Sequence, residues 1–155
     1  MKKYMSLAML LAVILMVMLS LTGCLLSKKV YEHWEFDYAV EEIQEIKIVE
    51  KTQEFNKPPY KVVKELDSSK INEICDDIKE LTMYKFALSM GSPMEPFGTC
   101  VWIIYNSGEY DLISLAGSSK YRYDSETGEL LGHTSWLYSI EAEFEAILNK
   151  YINAI

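Results

Sequence analysis

Residues 100–115 read Cys100-Val101-Trp102-Ile103-Ile104-Tyr105, then Asn106-Ser107-Gly108-Glu109, then Tyr110-Asp111-Leu112-Ile113-Ser114-Leu115. The first six are apolar on both faces of an extended chain, which marks a strand with neighbours on both sides. Asn106-Ser107-Gly108 supplies residues that tolerate positive φ, so the chain turns there and Tyr110–Leu115 returns as the hairpin partner. A sheet built on antiparallel neighbours is therefore the frame of the fold.

Further strands are read outward from this hairpin. Gln44–Glu50 places Ile46 and Ile48 on one face. Asn56-Lys57-Pro58-Pro59 is a loop, because two prolines fix φ and remove donors. Tyr60–Leu66 then forms a second strand, paired with the first. Met83–Leu88 reads as a strand with Tyr84, Phe86 and Leu88 on one face, and Gly91–Gly98 as a loop. Lys120–Tyr123 and Glu129–Thr134 flank a turn at Ser125-Glu126-Thr127-Gly128.

Two helices stand out. Asp67-Ser68-Ser69 offers cap oxygens. After it, Ile71, Ile74, Cys75, Ile78 and Leu81 recur at helical spacing with charged residues between them. Near the end, Ser139 is the expected cap, and Ile140, Phe144, Ile147, Leu148, Tyr151 and Ile152 form the stripe. Glu141, Glu143 and Glu145 come early and Lys150 late, which suits the helix dipole. Residues 30–42 have no clean period and read as a lead-in with one helical turn at most. The expectation is an α+β domain over residues 40–155. It has a single small antiparallel sheet of about five to six strands, with two amphipathic helices on one face.

The chain has 155 residues, 50% of them hydrophobic and 25% charged, with a formal charge of -8. This composition suits one globular domain. An acidic balance argues against a nucleic-acid partner, which needs a cationic face against phosphate.

The N-terminus differs from the rest. Lys2 and Lys3 precede Leu7–Leu21, an almost wholly apolar run without a charge. The run alone is shorter than the ~20 helical residues that cross a bilayer core, and its flanks nearly close that gap. The ending decides between a cleaved signal and an uncleaved anchor. Leu21-Thr22-Gly23-Cys24 puts small residues immediately before a cysteine, as a signal peptidase cleft requires. This run resembles the lipobox of bacterial lipoproteins at all four positions. The resemblance implies a diacylglyceryl group on the Cys24 thiol and cleavage after Gly23. Residues 1–23 would then be the signal peptide, 24–39 the lipid anchor and tether, and 40–155 the extracytoplasmic domain. It covers residues 1–24 and implies nothing about the domain beyond.

Each buried methylene contributes about 0.8 kcal/mol, so two acyl chains hold a protein at a membrane almost permanently. The mature chain would carry 13 basic and 23 acidic side chains, a charge of -10. Anionic headgroups repel such a body, so the lipid supplies the attachment and the body stands off in solvent. An extracytoplasmic site also makes ATP and NAD poor guesses, and no cofactor is expected. Cys75 and Cys100 remain once Cys24 is lipidated. An exported protein can bridge them for about 3 kcal/mol, or keep them as two buried thiols. Both readings stand on the sequence.

Motifs for chemistry are sparse. His33 and His133 are the two histidines, far apart in the chain, with no nucleophile motif beside either. Asp124-x-Glu126-x-Gly128 superficially suggests a calcium loop but lacks the ligand set, and a solvated hairpin turn explains it better. Met90, Met94 and Cys100 form no repeated soft-metal pattern. The pairs Glu41-Glu42 and Asp76-Asp77, and the Glu141/Glu143/Glu145 series, suit outer faces of helices and segments.

The aromatics are more suggestive. Trp102, Tyr105, Tyr110, Tyr121, Tyr123 and Trp136, interleaved with Lys120 and Arg122, are expected on the sheet face that the helices leave open. Such a face suits an envelope protein or a glycan. Two functions are carried forward. One is a membrane-tethered, non-catalytic binding or accessory module at the bacterial cell envelope. The other is a small envelope hydrolase using carboxylates, with His133 as a further candidate. Substrate binding for transport is a weaker third, since it usually takes a longer, two-lobed chain.

Overall fold

The computed structural model describes residues 13, 14, 28–86, 94–135 and 137–153. In chain order the elements are β1 (Lys29–His33), a 3-10 turn at Val40–Glu42, β2 (Ile43–Lys51) and β3 (Lys61–Glu65). A second 3-10 turn at Ser68–Lys70 runs into α1 (Ile71–Glu80). Then come β4 (Thr82–Phe86), β5 (Gly98–Tyr105), β6 (Tyr110–Ser114), β7 (Gly117–Tyr123), β8 (Leu130–Ser135), β9 (Tyr138–Ser139) and α2 (Glu141–Ile152).

Among the described residues the strands form two sheets. One has six strands in the order β3-β2-β5-β6-β7-β8, and the other three in the order β1-β4-β9. Every pairing is antiparallel. The α+β class holds, while the expected single sheet is corrected to two. β4 is the strand that leaves the main sheet. Leu81 and Met83, both almost fully buried, continue the apolar stripe of α1 into the same core. This draws β4 over the helix side, where it pairs with β1 and β9. Tyr84, Phe86 and Leu88 were expected on one face of β4; Met83, on the other face of the strand, enters the core, and Tyr84 is half-buried. Leu88 lies outside the described residues.

β5 is interior to the large sheet, as its two apolar faces demand. Val101, Ile103 and Tyr105 point to the helix side, where they meet Ile46 and Ile48 of β2, Ile74 and Ile78 of α1, and Phe144 and Ile147 of α2. Cys100 points the other way, into a smaller cluster with Val49, Tyr60, Tyr110 and Leu112. Ile43 joins the helix-side core although it sits three residues before Ile46. The pairing of β2 with β5 slips by one residue between Ile43 and Glu45, and the extra residue turns Ile43 back to the buried face.

Asp67 caps as expected: its carboxylate accepts from the Ser69 N–H at 2.8 Å. Ser139 does not cap α2. It is paired in β9, and its hydroxyl donates to the Ser114 carbonyl at 3.0 Å, tying the small sheet to β6. Ile140 takes the N-cap position with no side-chain cap. The two helices are joined by Asp77, which accepts from the Lys150 ammonium at 2.7 Å and from the Tyr151 hydroxyl at 2.6 Å.

Residues 29–39, assigned to the tether by the sequence reading, are built into the body. β1 pairs along its whole length with β4, and Trp34 is buried in the main core. Phe36 and Tyr38 pack against the same core.

The thiols are separate and free, Cys75 on the helix side and Cys100 on the opposite side of the sheet. No bridge joins them, because the sheet lies between. Burial pushes the Cys75 thiol up to about 11 and the Cys100 thiol up to about 12. Thiolate is the reactive form. Both cysteines should resist a thiol reagent at pH 8 in the folded protein and react fully in denaturant. Rapid labelling of either one in the native state would contradict this burial.

Candidate functional site

Residues opposite one another across a ladder share a face, and alternate residues along a strand do not. Tyr110 lies opposite Ile104, and Tyr121 opposite Tyr110. Trp102, Tyr110, Tyr121 and Tyr123 therefore share the side away from the helices. Tyr105, Lys120 and Arg122 point to the helix side. The expected binding face is divided between the two sides of the sheet, which corrects the reading of one continuous aromatic and cationic surface. Trp136 lies outside the described residues, as does Cys24.

The aromatic side is largely packed. Tyr60, immediately before β3, meets Trp102 edge-on with ring centroids 5.1 Å apart. Trp102 meets Tyr110 at 5.8 Å, and Tyr110 stacks on Tyr121 at 4.4 Å. Tyr60 and Tyr110 are buried, Trp102 and Tyr121 half-buried, and Tyr123 exposed. These rings form a ladder that stabilises the sheet through cross-strand contact.

Gly132 on β8 lies directly opposite Tyr121. A Cβ there would stand 2.8 Å from the Tyr121 ring. Gly132→Ala should push that ring off Tyr110 and lower stability by about 1–3 kcal/mol, measured by denaturant unfolding. An unchanged midpoint would show that the ring is loosely held.

The helix side carries a buried polar network. Asp111 is fully buried. Its carboxylate accepts from the Tyr105 hydroxyl at 2.8 Å and from the Arg122 guanidinium at 2.6 Å. Burial raises the Asp111 carboxyl above its ordinary range, against the pull of Arg122 and Tyr105. Arg122 also donates to Asp37 at 2.9 Å, and its guanidinium lies over the rings of Tyr38 and Tyr105. Lys120 pairs with Asp37 and donates to the Glu35 carbonyl at 2.7 Å. Burial opposes charge on Asp37, but the bonds from Lys120 and Arg122 outweigh it and hold the carboxyl below its usual range.

Glu109 is treated similarly. Its carboxylate accepts from the Tyr38 hydroxyl and from the Tyr123 N–H, the latter at 2.8 Å. Burial works against its charge, and these donors keep it ionised to lower pH. The network thus straps residues 35–38 onto the sheet.

Beside this strap lies a cleft of about 470 Å³, lined by Glu32, His33, Trp34, Glu35, Lys120, His133, Ser135 and Leu137. The fold brings both histidines to this one cavity, a juxtaposition that their separation in the sequence hid. His33 sits with Nδ1 3.3 Å from the Leu81 carbonyl, and Glu32 is paired with Lys85. Glu35 and His133 are solvent-exposed. The Trp34 indole N–H at the wall is buried with no acceptor among the described residues. Among the described residues no group of three His, Cys, Asp or Glu side chains is placed to hold a metal ion.

The remaining carboxylates of interest support the fold. Asp124 accepts from the Glu126 and Thr127 N–H groups at 2.9 and 2.7 Å, which builds the β7–β8 turn. Glu143 accepts from the Thr82 N–H at 2.8 Å and anchors α2 to β4. No family model, curated protein or solved structure matches the chain.

Proposed function

We propose that this chain is a lipid-anchored bacterial lipoprotein. It is held at the cell membrane through Cys24, faces outside the cytoplasm, and acts as a non-catalytic binding or accessory module at the envelope. The address rests on Lys2, Lys3, the apolar run and Leu21-Thr22-Gly23-Cys24. The non-catalytic reading is carried by one observation. The carboxylates with shifted ionisation near the sheet, Asp37, Glu109 and Asp111, are committed to Arg122, Lys120, Tyr38, Tyr105 and the Tyr123 N–H. An acid–base pair for hydrolysis must instead face its substrate.

The strap-side cleft is the proposed place for a polar ligand, either a glycan or an extended segment of an envelope protein. Its walls offer a cationic amine, two imidazoles and exposed Glu35.

The second reading is the small envelope hydrolase, favoured by Glu35 and His133 lining the same cleft. Crosslinking and pull-down of the lipidated protein from its own envelope separates the two. One stoichiometric partner or glycan lost in Glu35→Gln/His133→Ala supports binding. Turnover of a cell-wall fragment that the same substitutions abolish overturns it. The address has its own test: Cys24→Ser should keep the precursor mass and carry no lipid label. Unchanged processing and lipid labelling would sink it.

A further inference from the structure

We infer that one end of the domain, carrying Tyr31, Met94, Phe97 and Leu115, rests against the lipid bilayer interface. This rests on the lipid anchor proposed above. These four large apolar side chains are all exposed, at 60%, 55%, 53% and 38%.

The fold gathers them. Leu115 is in the β6–β7 turn, and it lines one surface hollow with Lys29, Tyr31 and Tyr84. Met94 stands beside the same turn, since a Cβ on Gly117 would collide with its carbonyl oxygen. Phe97 precedes β5, whose first residues pair with the last residues of β2 and, from Cys100, with Ser114 beside the turn. All four lie at the end of the body where the chain enters at Lys29.

Chain length supplies the occupant. Four residues lie between Cys24 and Lys29, so five Cα–Cα steps join them, and a fully extended chain of that length reaches about 18 Å. A domain of this size has a radius of gyration of about 14 Å, hence a diameter of roughly 35 Å. The leash is shorter than the body it holds, so the Lys29 end is kept next to the headgroups. Tyrosine and lysine suit that zone, where a ring and an aliphatic stem sit in the apolar layer and a polar tip stays wet. Lys29 already lies over the Tyr84 ring, its amine 3.9 Å from the centroid. The acidic charge of the whole body still disfavours anionic lipid. The contact is local, made by apolar and aromatic groups, and needs the anchor to bring it there.

The test uses the full-length lipidated protein in phosphatidylcholine vesicles containing a phospholipid with a nitroxide on its acyl chain. A fluorophore goes on one introduced cysteine, at Leu115→Cys or Phe97→Cys, or at Glu126→Cys in the β7–β8 turn. That turn lies at the far end of β7, about 20 Å from the β6–β7 turn at the rise of a strand. Cys75 and Cys100 are buried and escape labelling.

Quenching at 115 and 97 should exceed that at 126 several-fold. Equal quenching at all three sites, in protein whose Cys24 lipid is verified by mass, would overturn the contact and leave the anchor standing. Protein that carries no lipid would remove the anchor and this inference together.

Discussion

Arg122→Ala is expected to lower the free energy of unfolding by about 3–5 kcal/mol, the usual cost of stranding one member of a buried ion pair. The size follows from what is left behind. Asp111 is fully buried and loses its cationic partner, keeping the Tyr105 hydroxyl. Asp37 loses two guanidinium bonds, at 2.9 and 3.2 Å, so the strap over residues 35–38 loosens as well. The Tyr110 and Tyr121 carbonyls each lose a donor at 3.1 and 3.0 Å.

The loss should shrink as the pH falls. Burial already raises the Asp111 carboxyl, so the folded form holds that proton more tightly than the unfolded chain. Stability is therefore gained as the group protonates, more so in the variant that lacks Arg122. Replacing both partners by apolar groups, Asp111→Leu with Arg122→Met, should be more stable than Arg122→Ala alone. Denaturant unfolding of the three proteins measures this. A cost for Arg122→Ala below about 1 kcal/mol would place the pair among ordinary surface salt bridges.

Phe144→Ala should cost about 3–5 kcal/mol, the range for removing a buried phenylalanine. The side chain is 2% exposed and lies in the helix-side core with Ile147 and Tyr151. A twelve-residue helix with no side-chain cap has little stability of its own, so α2 depends on this packing. Hydrogen exchange should speed up in α2 and in β4, which Glu143 ties to it. A variant as stable as the parent would mean that α2 is not anchored through this ring.

Much of this molecule was legible because it is local. CVWIIY needs two apolar surroundings wherever it folds, and β5 has them. Ile74, Cys75 and Ile78 mark one stripe of a helix whatever it packs on. Gly108 has φ +86°, the value that a turn after Asn106-Ser107 calls for. Residues 29–39 were not legible, because their order comes from distant partners. β1 exists through β4, and the 35–38 strap through Lys120 and Arg122 on β7. The candidate surface failed for the same reason. Tyr105 and Trp102 are three residues apart on one strand and point to opposite sides, and which side each shares with Tyr110 or Arg122 is fixed by register across β5, β6 and β7. The cleft holding both histidines depends on two chain segments meeting in space.

The sequence by itself determined the apolar N-terminal run that ends in Leu21-Thr22-Gly23-Cys24, the acidic charge, the central strand, the first helix and the turns, since each follows from neighbours within a few residues. Only the tertiary structure decided that there are two sheets, that Asp111 is sealed by Arg122, that the thiols stay apart, and that four exposed apolar groups collect where the chain enters. Those outcomes depend on pairing register and on long-range burial, which no local pattern encodes.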